Sequence, residues 1–499
     1  MAFKRYSATK DNTITNAFQE NLTVRGTGSN MGQSDILEVF YINAQQSATS
    51  KEKARILLEF PITKLVTDRT NEVIPASGSV SFYLKMTNAK HSTTLPRNYK
   101  LAIHAISGAW QEGRGLDMEN YTDLTYGYTG SSWINRKGTT AWETAGGDFY
   151  TDSSSSFDAT FTVGDEDLEV DVTTLVEQWI NSGGNVLGSK DNHGFMIKLS
   201  SSFENSTTES YYTKKFFARS SEFFFRRPIL EARWDSSRRD NRSNMFFSSS
   251  ILPAEDNLMN LYMYNYFRGN LVDIAGDSSQ VPVLNIYYSS GSVPEGNTRY
   301  FRDSSNNAVN FLSASRTSKG IYKCRFSITS SILTSTYPYL VDVWTYSGSQ
   351  VHTGSAITPK SHDFSNYNPN SSYVISMPNI KDKYFKNETQ RFRLYVREKG
   401  WSPNIYTVAS TKTPNLLIQS ASYSIKRISD EKVVVPYNTG SDGSTILSYD
   451  SEGNYFDLDM SILEPGYTFG FQFAFYEDSV GSYREQPYIF KFRILEEEL

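Results

Sequence analysis

A short helical pattern inside an otherwise strand-like sequence places the strongest constraint on the fold. Residues 168–172 alternate apolar and acidic side chains, as expected for a half-buried β-strand. Directly afterwards, Val172, Leu175, Val176 and Trp179 recur at the spacing of one apolar helical face. A strand that runs straight into a short amphipathic helix predicts a β-sandwich whose end is covered by that helix, with Trp179 buried beneath it.

This helix has a predicted start and a predicted end. Asp171, Thr173 and Thr174 stand where N-cap oxygens are needed, and Thr174 with Glu177 has the spacing of a capping box. The sequence Asn181-Ser-Gly-Gly is expected to end the helix, because glycine tolerates the left-handed conformation of a helix exit. We therefore predict that the only substantial helix spans about Thr174 to Asn181.

Length and composition indicate several β domains. A chain of 499 residues exceeds what one core normally holds and suggests about three domains. Its 33 Tyr and 31 Phe raise the aromatic share to 14%, and aromatic residues favour strands and bury large areas. Residues 391–397 show the matching pattern, since apolar side chains alternate there with Arg and Tyr. We predict an all-β protein.

Two polar breaks predict the domain boundaries. Residues 235–244 contain no apolar residue and form the best candidate linker, which trypsin should cleave at its three arginines to release a folded N-terminal fragment. A second break covers residues 358–372, which are rich in Pro, Asn and Ser. The predicted domains are residues 1–235, 245–360 and 371–499.

The second and third of these domains resemble each other weakly in sequence. Leu261-Tyr-Met-Tyr parallels Leu394-Tyr-Val-Arg. Gly320-Ile-Tyr, followed by Ser327-Ile, parallels Gly453-Asn-Tyr, followed by Ser461-Ile. Two explanations remain open at this point: a degenerate repeat, or chance in a chain where tyrosine is common throughout.

Charge and hydropathy exclude several classes of partner. A net charge of −5 over the whole chain gives no basis for nucleic-acid binding. No run approaches the ~18 apolar residues of a membrane-spanning helix. The first residues, Met-Ala-Phe-Lys-Arg-Tyr-Ser, include no apolar signal-peptide region. We therefore expect synthesis in a cytoplasm and neither a nucleic acid nor a membrane as partner.

The sequence contains no recognisable catalytic or metal-binding motif. Five histidines are scattered without metal-ligand spacing, and nucleophile-elbow, phosphate-loop and dinucleotide signatures do not occur; the histidines are His91, His104, His193, His352 and His362. Cys324, the single cysteine, alternates with Tyr322 and Phe326, which favours a buried strand residue over a nucleophile. We predict a non-enzymatic protein with no cofactor and no catalytic or metal-binding residue. A glycosidase remains the open enzymatic alternative, because it needs only two carboxylates.

Some weaker patterns allow two interpretations each. Acidic side chains between Asp450 and Asp459 are clustered as in a calcium loop, but a turn joining two strands is the favoured interpretation. The acids in 166–171 are likewise attributed to the solvated side of a strand. Among the tryptophans, Trp133 is the best candidate for stacking on a sugar, because its neighbours are polar. Trp110 and Trp142 are expected to pack in the core.

Motifs in the first 235 residues resemble, in their order, the DNRLRE-type jelly-roll family, which overlaps with carbohydrate-binding modules. The matching segments are Asp11-Asn-Thr-Ile-Thr, Gly26-Thr-Gly-Ser-Asn30, Ala54–Pro61, Ser79–Lys85, Trp110-Gln-Glu112, Trp142 with Gly146-Gly147-Asp148, Phe217-Ala-Arg219-Ser-Ser-Glu222, and Arg227–Trp234. The long Ser/Thr-rich insertions depart from the family pattern. The resemblance implies an N-terminal jelly-roll sandwich with one short helix, and a function in binding rather than cleavage. The two predicted domains that follow it are expected to be smaller β-sandwiches.

The whole chain resembles the virion structural proteins of contractile-tailed marine phages, particularly cyanophages. Segments 391–408 and 454–461 carry the strongest likeness. It implies a structural protein located in the virion and made in the host cytoplasm, which assembles with other virion proteins and forms a homo-oligomer within the particle. A neck, tail or baseplate position is preferred over head decoration. The alternative is a carbohydrate-binding surface or host-recognition protein that binds host glycans.

One strand face in the last third is a candidate assembly interface. Arg391, Arg393, Tyr395 and Arg397 point to the same side of the predicted strand, and interfaces are enriched in Tyr and Arg. The competing interpretation, an ordinary solvated strand face, is favoured for this strand.

Overall fold

The computed structural model of the chain shows two compact units, Ala2–Asp235 and Ser236–Leu499. The residues it describes are 2–19, 21–90, 96–116, 130–180, 187–208, 210–362, 372–402, 405, 415–440, 442–477 and 479–496. The predicted helix end at Asn181 and most of the predicted second break lie outside these residues. Each unit is described by itself below.

The unit Ala2–Asp235 is built mainly from strands. These are β1 (Phe3–Ser7), β2 (Lys10–Thr15), β3 (Ile36–Asn43), β4 (Lys51–Glu59), β5 (Ser81–Met86), β6 (Tyr99–Ala105), β7 (Asn135–Lys137), β8 (Thr140–Ala141), β9 (Ser156–Phe161), β10 (Leu168–Asp171), β11 (Phe195–Leu199), β12 (Ser210–Phe217) and β13 (Ile229–Arg233). Its described helices are α1 (Ile62–Thr70), α2 (Thr173–Ile180) and α3 (Ser201–Glu204), with a 3-10 turn at Phe224–Arg226.

Two antiparallel sheets form this unit. One has the order β1-β13-β5-β10, and the other has the order β12-β3-β4-β11-β6-β9, in which β2 shares one edge of β4 with β3. The chain passes from one sheet to the other after β1, β4, β5, β9, β10 and β12, as it does in a jelly roll. The all-β fold predicted from the sequence, with its N-terminal jelly-roll sandwich, is confirmed.

The helix α2 covers the core at the position predicted from its periodicity. Val172, Leu175, Val176 and Trp179 are all buried in the core between the sheets. The Trp179 ring meets Phe195 of β11 edge-on, with the ring centroids 4.8 Å apart. The prediction that Trp179 is buried is confirmed.

The start of α2 differs from the prediction. The Asp171 carboxylate accepts a hydrogen bond from the Thr173 N–H at 2.9 Å, as an N-terminal cap should. The Thr174 hydroxyl instead donates to the Ser154 carbonyl at 3.1 Å. The Glu177 carboxylate forms an ion pair with Arg69 of α1 at 2.6 Å. The predicted capping box is therefore wrong, since both of its side chains bind residues outside the helix.

The prediction of a single substantial helix was wrong, because a second helix, α1, has nine residues and is as long as α2 or longer. Its sequence, Ile-Thr-Lys-Leu-Val-Thr-Asp-Arg-Thr, is rich in β-branched residues, which favour strands. Only Leu65 and Asp68 of this helix are buried. Contacts with other elements stabilise it, because the Asp68 carboxylate accepts a hydrogen bond from the Tyr6 hydroxyl at 2.7 Å and pairs with Lys4 at 3.0 Å. Tertiary contacts thus outweigh local propensity here.

The unit Ser236–Leu499 is also built from strands. These are β14 (Met259–Tyr264), β15 (Tyr266–Phe267), β16 (Asn270–Leu271), β17 (Val283–Ser289), β18 (Phe301–Arg302), β19 (Ala308–Val309), β20 (Leu312–Ser313), β21 (Ser315–Ser318), β22 (Ile321–Phe326), β23 (Tyr339–Tyr346), β24 (Ser349–Thr353), β25 (Tyr373–Ser376), β26 (Lys383–Phe385), β27 (Thr389–Glu398), β28 (Ala421–Arg427), β29 (Val433–Val435), β30 (Ser448–Asp450), β31 (Gly453–Asp459), β32 (Thr468–Glu477), β33 (Ser482–Glu485) and β34 (Phe490–Leu495). Single 3-10 turns occur at Ile274–Gly276, Ser330–Ile332 and Met460–Ile462.

The first sandwich of this unit pairs a sheet of order β14-β22-β21 with one of order β20-β17-β23-β24. Its core contains Leu284, Tyr322 and Trp344. Cys324 lies in the same core, as its alternation with aromatic residues predicted, and burial raises the pKa of its thiol to about 12. Such a thiol is not a nucleophile near neutral pH, because the thiolate is the reactive form.

The second sandwich of this unit pairs a sheet of order β25-β27-β31-β30 with one of order β26-β34-β32-β28-β29, in which β33 lies beside β32. Phenylalanine dominates its core. The Phe471 ring lies 4.7 Å from that of Phe392, 5.2 Å from that of Phe456 and 4.5 Å from that of Phe492, measured between centroids. These rings explain how a chain of modest apolar content fills its sandwich cores.

The two sandwiches repeat one strand order, which supports the repeat hypothesis at the level of strands. The order β14-β22-β21 recurs as β27-β31-β30, and β20-β17-β23-β24 recurs as β29-β28-β32-β33. The residues that were matched in sequence do not occupy equivalent positions in the two strand pairs. Leu394 lies opposite Asn454, the first residue after Gly453, whereas the residue opposite Ile321, the first after Gly320, is Tyr264 and not Leu261.

The segment 235–244, predicted to be a free linker, is bound within the unit Ser236–Leu499. The Tyr449 N–H donates to the Arg238 carbonyl at 2.9 Å, and the Asp240 N–H donates to the Tyr449 carbonyl at 3.0 Å. The Asn241 N–H donates to the carbonyl of Asn260 in β14 at 2.9 Å. The segment buries no apolar side chain, but its main chain bonds to strands of both sandwiches. The prediction of a free linker was wrong for this reason.

Candidate functional site

Residues from three separate motifs of the N-terminal unit meet in one cluster. Arg219 binds the Glu112 carboxylate with two side-chain hydrogen bonds, of 2.9 and 2.7 Å. The main-chain N–H of Arg219 donates to Asp11 Oδ2 at 2.6 Å, and the Asp11 N–H donates to Glu112 Oε1 at 2.9 Å. Nearby in the chain, Asn12 Oδ1 accepts the N–H of Met31, the residue after the Gly26–Asn30 motif, at 2.8 Å. The sequence showed the motifs but not that they meet.

The electrostatics of this motif cluster (Asp11, Asn12, Glu112 and Arg219) indicate a structural role. Burial raises the pKa of Asp11 to about 7, although Arg219 opposes that shift. The hydrogen bond to Glu112 raises the pKa of Arg219, so its guanidinium stays charged between two carboxylates. Within the described residues, no group of three or more His, Cys, Asp or Glu side chains is placed to hold a metal ion. The cluster holds distant segments together.

A second buried network lies on the side of the larger sheet that faces away from the core. Arg55 of β4 binds Glu204 of α3 through two hydrogen bonds of 2.9 Å and donates to the Gly146 carbonyl at 2.7 Å. Lys198 of β11 pairs with the same carboxylate at 2.8 Å. Burial alone would raise the pKa of Glu204, but Arg55 and Lys198 outweigh it and lower that pKa. These charges are compensated internally, so no ligand is needed to neutralise them.

The three tryptophans considered as sugar-stacking residues are all buried. Trp110, Trp133 and Trp142 belong to one apolar cluster over the same sheet face, which confirms the core prediction for Trp110 and Trp142. Trp133 is only 7% exposed, and the Arg55 guanidinium lies 5.1 Å from its ring centroid. The prediction of an exposed Trp133 was wrong, because its polar neighbours Ser131 and Ser132 are buried with it.

The acidic segment Asp450–Asp459 contains the turn that the favoured interpretation predicted. Ser451 and Glu452 join β30 to β31, and the Asp450 carboxylate accepts the Glu452 N–H at 2.8 Å. Arg393 binds that carboxylate at 2.9 and 2.8 Å. Arg391 binds Asp457 at 2.8 and 3.0 Å. Arginine side chains therefore balance Asp450 and Asp457, and two of the four side chains on the candidate assembly face, Arg391 and Arg393, are paired within the chain.

The acidic side chains Asp167, Glu169 and Asp171 are exposed, as expected for the solvated side of a strand, and a buried lysine lies beside their segment. Lys214 of β12 is fully buried, and its ammonium donates to the carbonyls of Gly164 and Glu166 and to Asn88 Oδ1 at 2.8, 2.7 and 2.7 Å. Burial lowers the pKa of Lys214 to about 8. The sequence gives no sign that Lys214 is buried and binds three oxygen atoms, because these atoms belong to distant segments.

A shallow open depression lies at one end of β3 and β12. Its volume is about 410 Å³, and its walls are Ile42, Asn43, Ala44, Gln45, Ser210 and Tyr211. The Tyr211 side chain is 63% exposed. Asn43 Oδ1 and Ser210 Oγ are buried and have no hydrogen-bond partner within the described part of the chain. The depression combines the exposed Tyr211 ring with the exposed Gln45 side chain, and no sequence pattern marks it.

No family model and no curated protein matches the sequence. Among solved structures, the fibronectin(III)-like modules of Clostridium thermocellum CbhA align at 10% identity with a TM-score of 0.15, covering 52% of this chain and 93% of theirs. A chimeric titin Z1Z2 tandem aligns at 10% identity and a TM-score of 0.15, covering 48% and 91%. Alpha-2-macroglobulin from Escherichia coli aligns at 8% identity and a TM-score of 0.17, covering 93% and 29%.

Because these TM-scores are far below 0.5, the aligned structures give no indication of function. Within the described residues, no helix has the length and apolar character needed to cross a membrane.

Proposed function

We propose that the chain is a non-enzymatic structural component of a bacteriophage virion. It belongs to the neck, tail or baseplate rather than to the head surface, and it acts by protein–protein assembly with other virion proteins and with its own copies. The observation that carries the proposal is the way in which segment 236–244 joins the two repeated sandwiches of the unit Ser236–Leu499. A subunit that connects neighbours in a particle needs its sandwiches held together in this way.

A buried ion pair strengthens this junction. Arg242 of the segment binds Asp342 of β23 with two hydrogen bonds, of 2.6 and 2.7 Å. The Asp342 carboxylate is fully buried and also accepts the Trp344 indole N–H at 2.7 Å. Removing one partner of a buried pair leaves an uncompensated charge and typically costs about 3–5 kcal/mol. The junction is thus stabilised by side chains as well as by the main chain, which supports the proposed structural role.

The proposal is tested by quantitative mass spectrometry of gradient-purified particles. We expect the chain at a fixed number of copies relative to the major structural proteins, after washing at high salt. If the chain is abundant in infected cells and missing from purified particles, the proposal is wrong.

A second candidate function, saccharide binding, is favoured by the depression beside Tyr211. An exposed aromatic ring can stack on the apolar face of a sugar, while the exposed Gln45 amide offers hydrogen-bonding groups for its hydroxyls. Asn43 is held in place because its amide nitrogen donates to the Thr208 carbonyl at 2.8 Å. The residues described around the depression carry no charged side chain.

A glycan array probed with the full chain tests this second function. We expect binding that Tyr211→Ala abolishes, because the stacking ring is lost. Tyr300→Ala is the matched control, since Tyr300 is similarly exposed but lies in the other unit. Either no binding to any glycan or equal binding by Tyr211→Ala would rule out this site.

A further inference from the structure

A two-stranded hairpin in the unit Ser236–Leu499 exposes two aromatic rings at its tip. Strands β15 and β16 pair Tyr266 with Leu271 and Phe267 with Asn270. The connecting residues, Arg268 and Gly269, both lie in the left-handed region, with φ of 49° and 81°. Tyr266 is 61% exposed and Phe267 is 62% exposed. We call residues 266–271 the aromatic hairpin.

The base of the aromatic hairpin is firmly held. The Asn265 N–H donates to the Gly320 carbonyl at 2.8 Å, and the Val272 N–H donates to the Asn265 carbonyl at 3.0 Å. The Asn265 side-chain amide donates to the Val272 carbonyl at 2.7 Å. The next residue, Asp273, binds Arg316 through hydrogen bonds of 2.8 and 2.9 Å. The tip therefore extends from a fixed base, which lowers the entropy lost when it binds.

The residue at the turn is not the one that the turn geometry favours. Two left-handed residues in a row are best served by Asn-Gly, and an arginine in this region is uncommon. The Arg268 guanidinium lies 5.3 Å from the Phe267 ring centroid. Among the described residues it has no ion pair with a carboxylate. The exposed rings and the left-handed arginine both raise the free energy of the unbound chain. Binding to a partner would offset this unfavourable free energy.

We propose that the aromatic hairpin docks into another protein subunit of the particle, at an apolar cleft flanked by carboxylates. Because Tyr266 and Phe267 are adjacent in a strand, their side chains leave opposite faces of the ribbon, so the receiving surface must contact both faces. A cleft in a protein does this, whereas a single sugar ring stacks on only one. Arg268 supplies the charge that the carboxylates complement, and Tyr, Phe and Arg are enriched at interfaces.

This inference rests on the proposed virion function and is tested in assembled particles. A photoreactive phenylalanine analogue in place of Phe267 should crosslink to a different virion protein, at a peptide that contains Asp or Glu. The double variant Tyr266→Ser, Phe267→Ser should lower the copies per particle about tenfold or more, as expected for the loss of interface hot spots. Arg268→Asn should also lower incorporation, although it suits the turn better. Tyr300→Ser, with a ring as exposed as these two, should incorporate normally.

The outcomes separate the two proposals. If the wild-type chain is in particles and the double variant incorporates equally, the docking proposal is wrong while the virion assignment stands. If the wild-type chain is absent from particles, both are wrong. Binding to a glycan array that the double variant loses would assign the hairpin to a saccharide and overturn the protein partner. Because the substituted side chains are exposed, no variant should melt below the wild type, which excludes misfolding as the cause.

Discussion

Buried charges in this chain have pKa values that depend on how well each charge is compensated. Asp240 is buried in the junction segment, and it accepts the Arg242 N–H at 3.0 Å. Burial raises its pKa to about 6, Arg242 opposes this shift, and Asp342 and Asp450 add to it. Glu231 shows the opposite balance. Arg5, Lys85 and Arg233 overcome its burial and lower its pKa to about 2.

The raised pKa of Asp240 gives a testable pH dependence. In the unfolded chain an Asp has a pKa near ~4, so between about pH 4 and pH 6 the folded state binds more protons. Its contribution to stability is therefore present at low pH and is lost as pH rises through about 6. We expect Asp240→Asn to gain on the order of 2–3 kcal/mol relative to wild type between pH 4 and pH 7. Urea unfolding across this range measures the difference, and a difference independent of pH would contradict the assignment.

A second test at the residue scale concerns Trp179. Replacing it with Ala removes a buried ring that meets Phe195 and leaves a cavity under α2. We expect a loss of about 3–5 kcal/mol in the free energy of unfolding of the N-terminal unit. A measured loss below about 1 kcal/mol would place the ring outside the core.

The sequence predicted single residues well where they belong to a periodic pattern. Trp179 and Cys324 are buried, as the helical and strand alternations around them indicated. Trp133 was wrong because it lies in a loop, where burial depends on distant partners such as Arg55. The motif cluster illustrates the same limit, since Asp11 and Arg219 are 208 positions apart and no local pattern shows that they meet.

Helices and strands were also predictable only where their sequence is periodic. Where contacts with distant residues determine the structure, local periodicity and propensity do not predict the element. Strand β27 and helix α2 were predictable from their alternation. Helix α1 was not, since its β-branched sequence favours a strand and its stability comes from Tyr6, Lys4 and Glu177. The repeat was visible in strand order but not in residue register.

The junction segment supplies the prediction at the element scale. Because its main chain is hydrogen-bonded and Arg242 is paired with buried Asp342, trypsin should cleave at Arg238, Arg239 and Arg242 slowly. Asp342→Asn keeps all three cleavage sites but breaks the pair, so we expect cleavage to become about tenfold faster or more. The control is Asp457→Asn, which breaks the more exposed pair with Arg391.

Rapid cleavage of the wild-type segment, comparable to that of an unstructured peptide, would show that these contacts do not hold it. Equal rates for wild type and Asp342→Asn would show that the ion pair has no part in the junction.

At the scale of the whole molecule, composition predicted an all-β chain of several sandwiches. The chain passes from the first compact unit to the second between Asp235 and Ser236. This boundary coincides with the start of the polar segment that predicted it. The division of the second unit at residues 361–370 stays a prediction. Function is harder to predict from the sequence, because assembly surfaces have no fixed residue pattern. The aromatic hairpin, for example, is distinguished by its exposed rings and its turn geometry, which only the structure shows.

We propose above that this chain is a structural component of a phage particle. A reconstruction of the purified particle at a resolution that distinguishes side chains tests it most directly. We expect density in the neck, tail or baseplate for symmetry-related copies of the chain, into which the jelly roll, the repeated sandwiches and the Arg242–Asp342 junction can be traced. A particle whose density is fully accounted for by other proteins would contradict the claim.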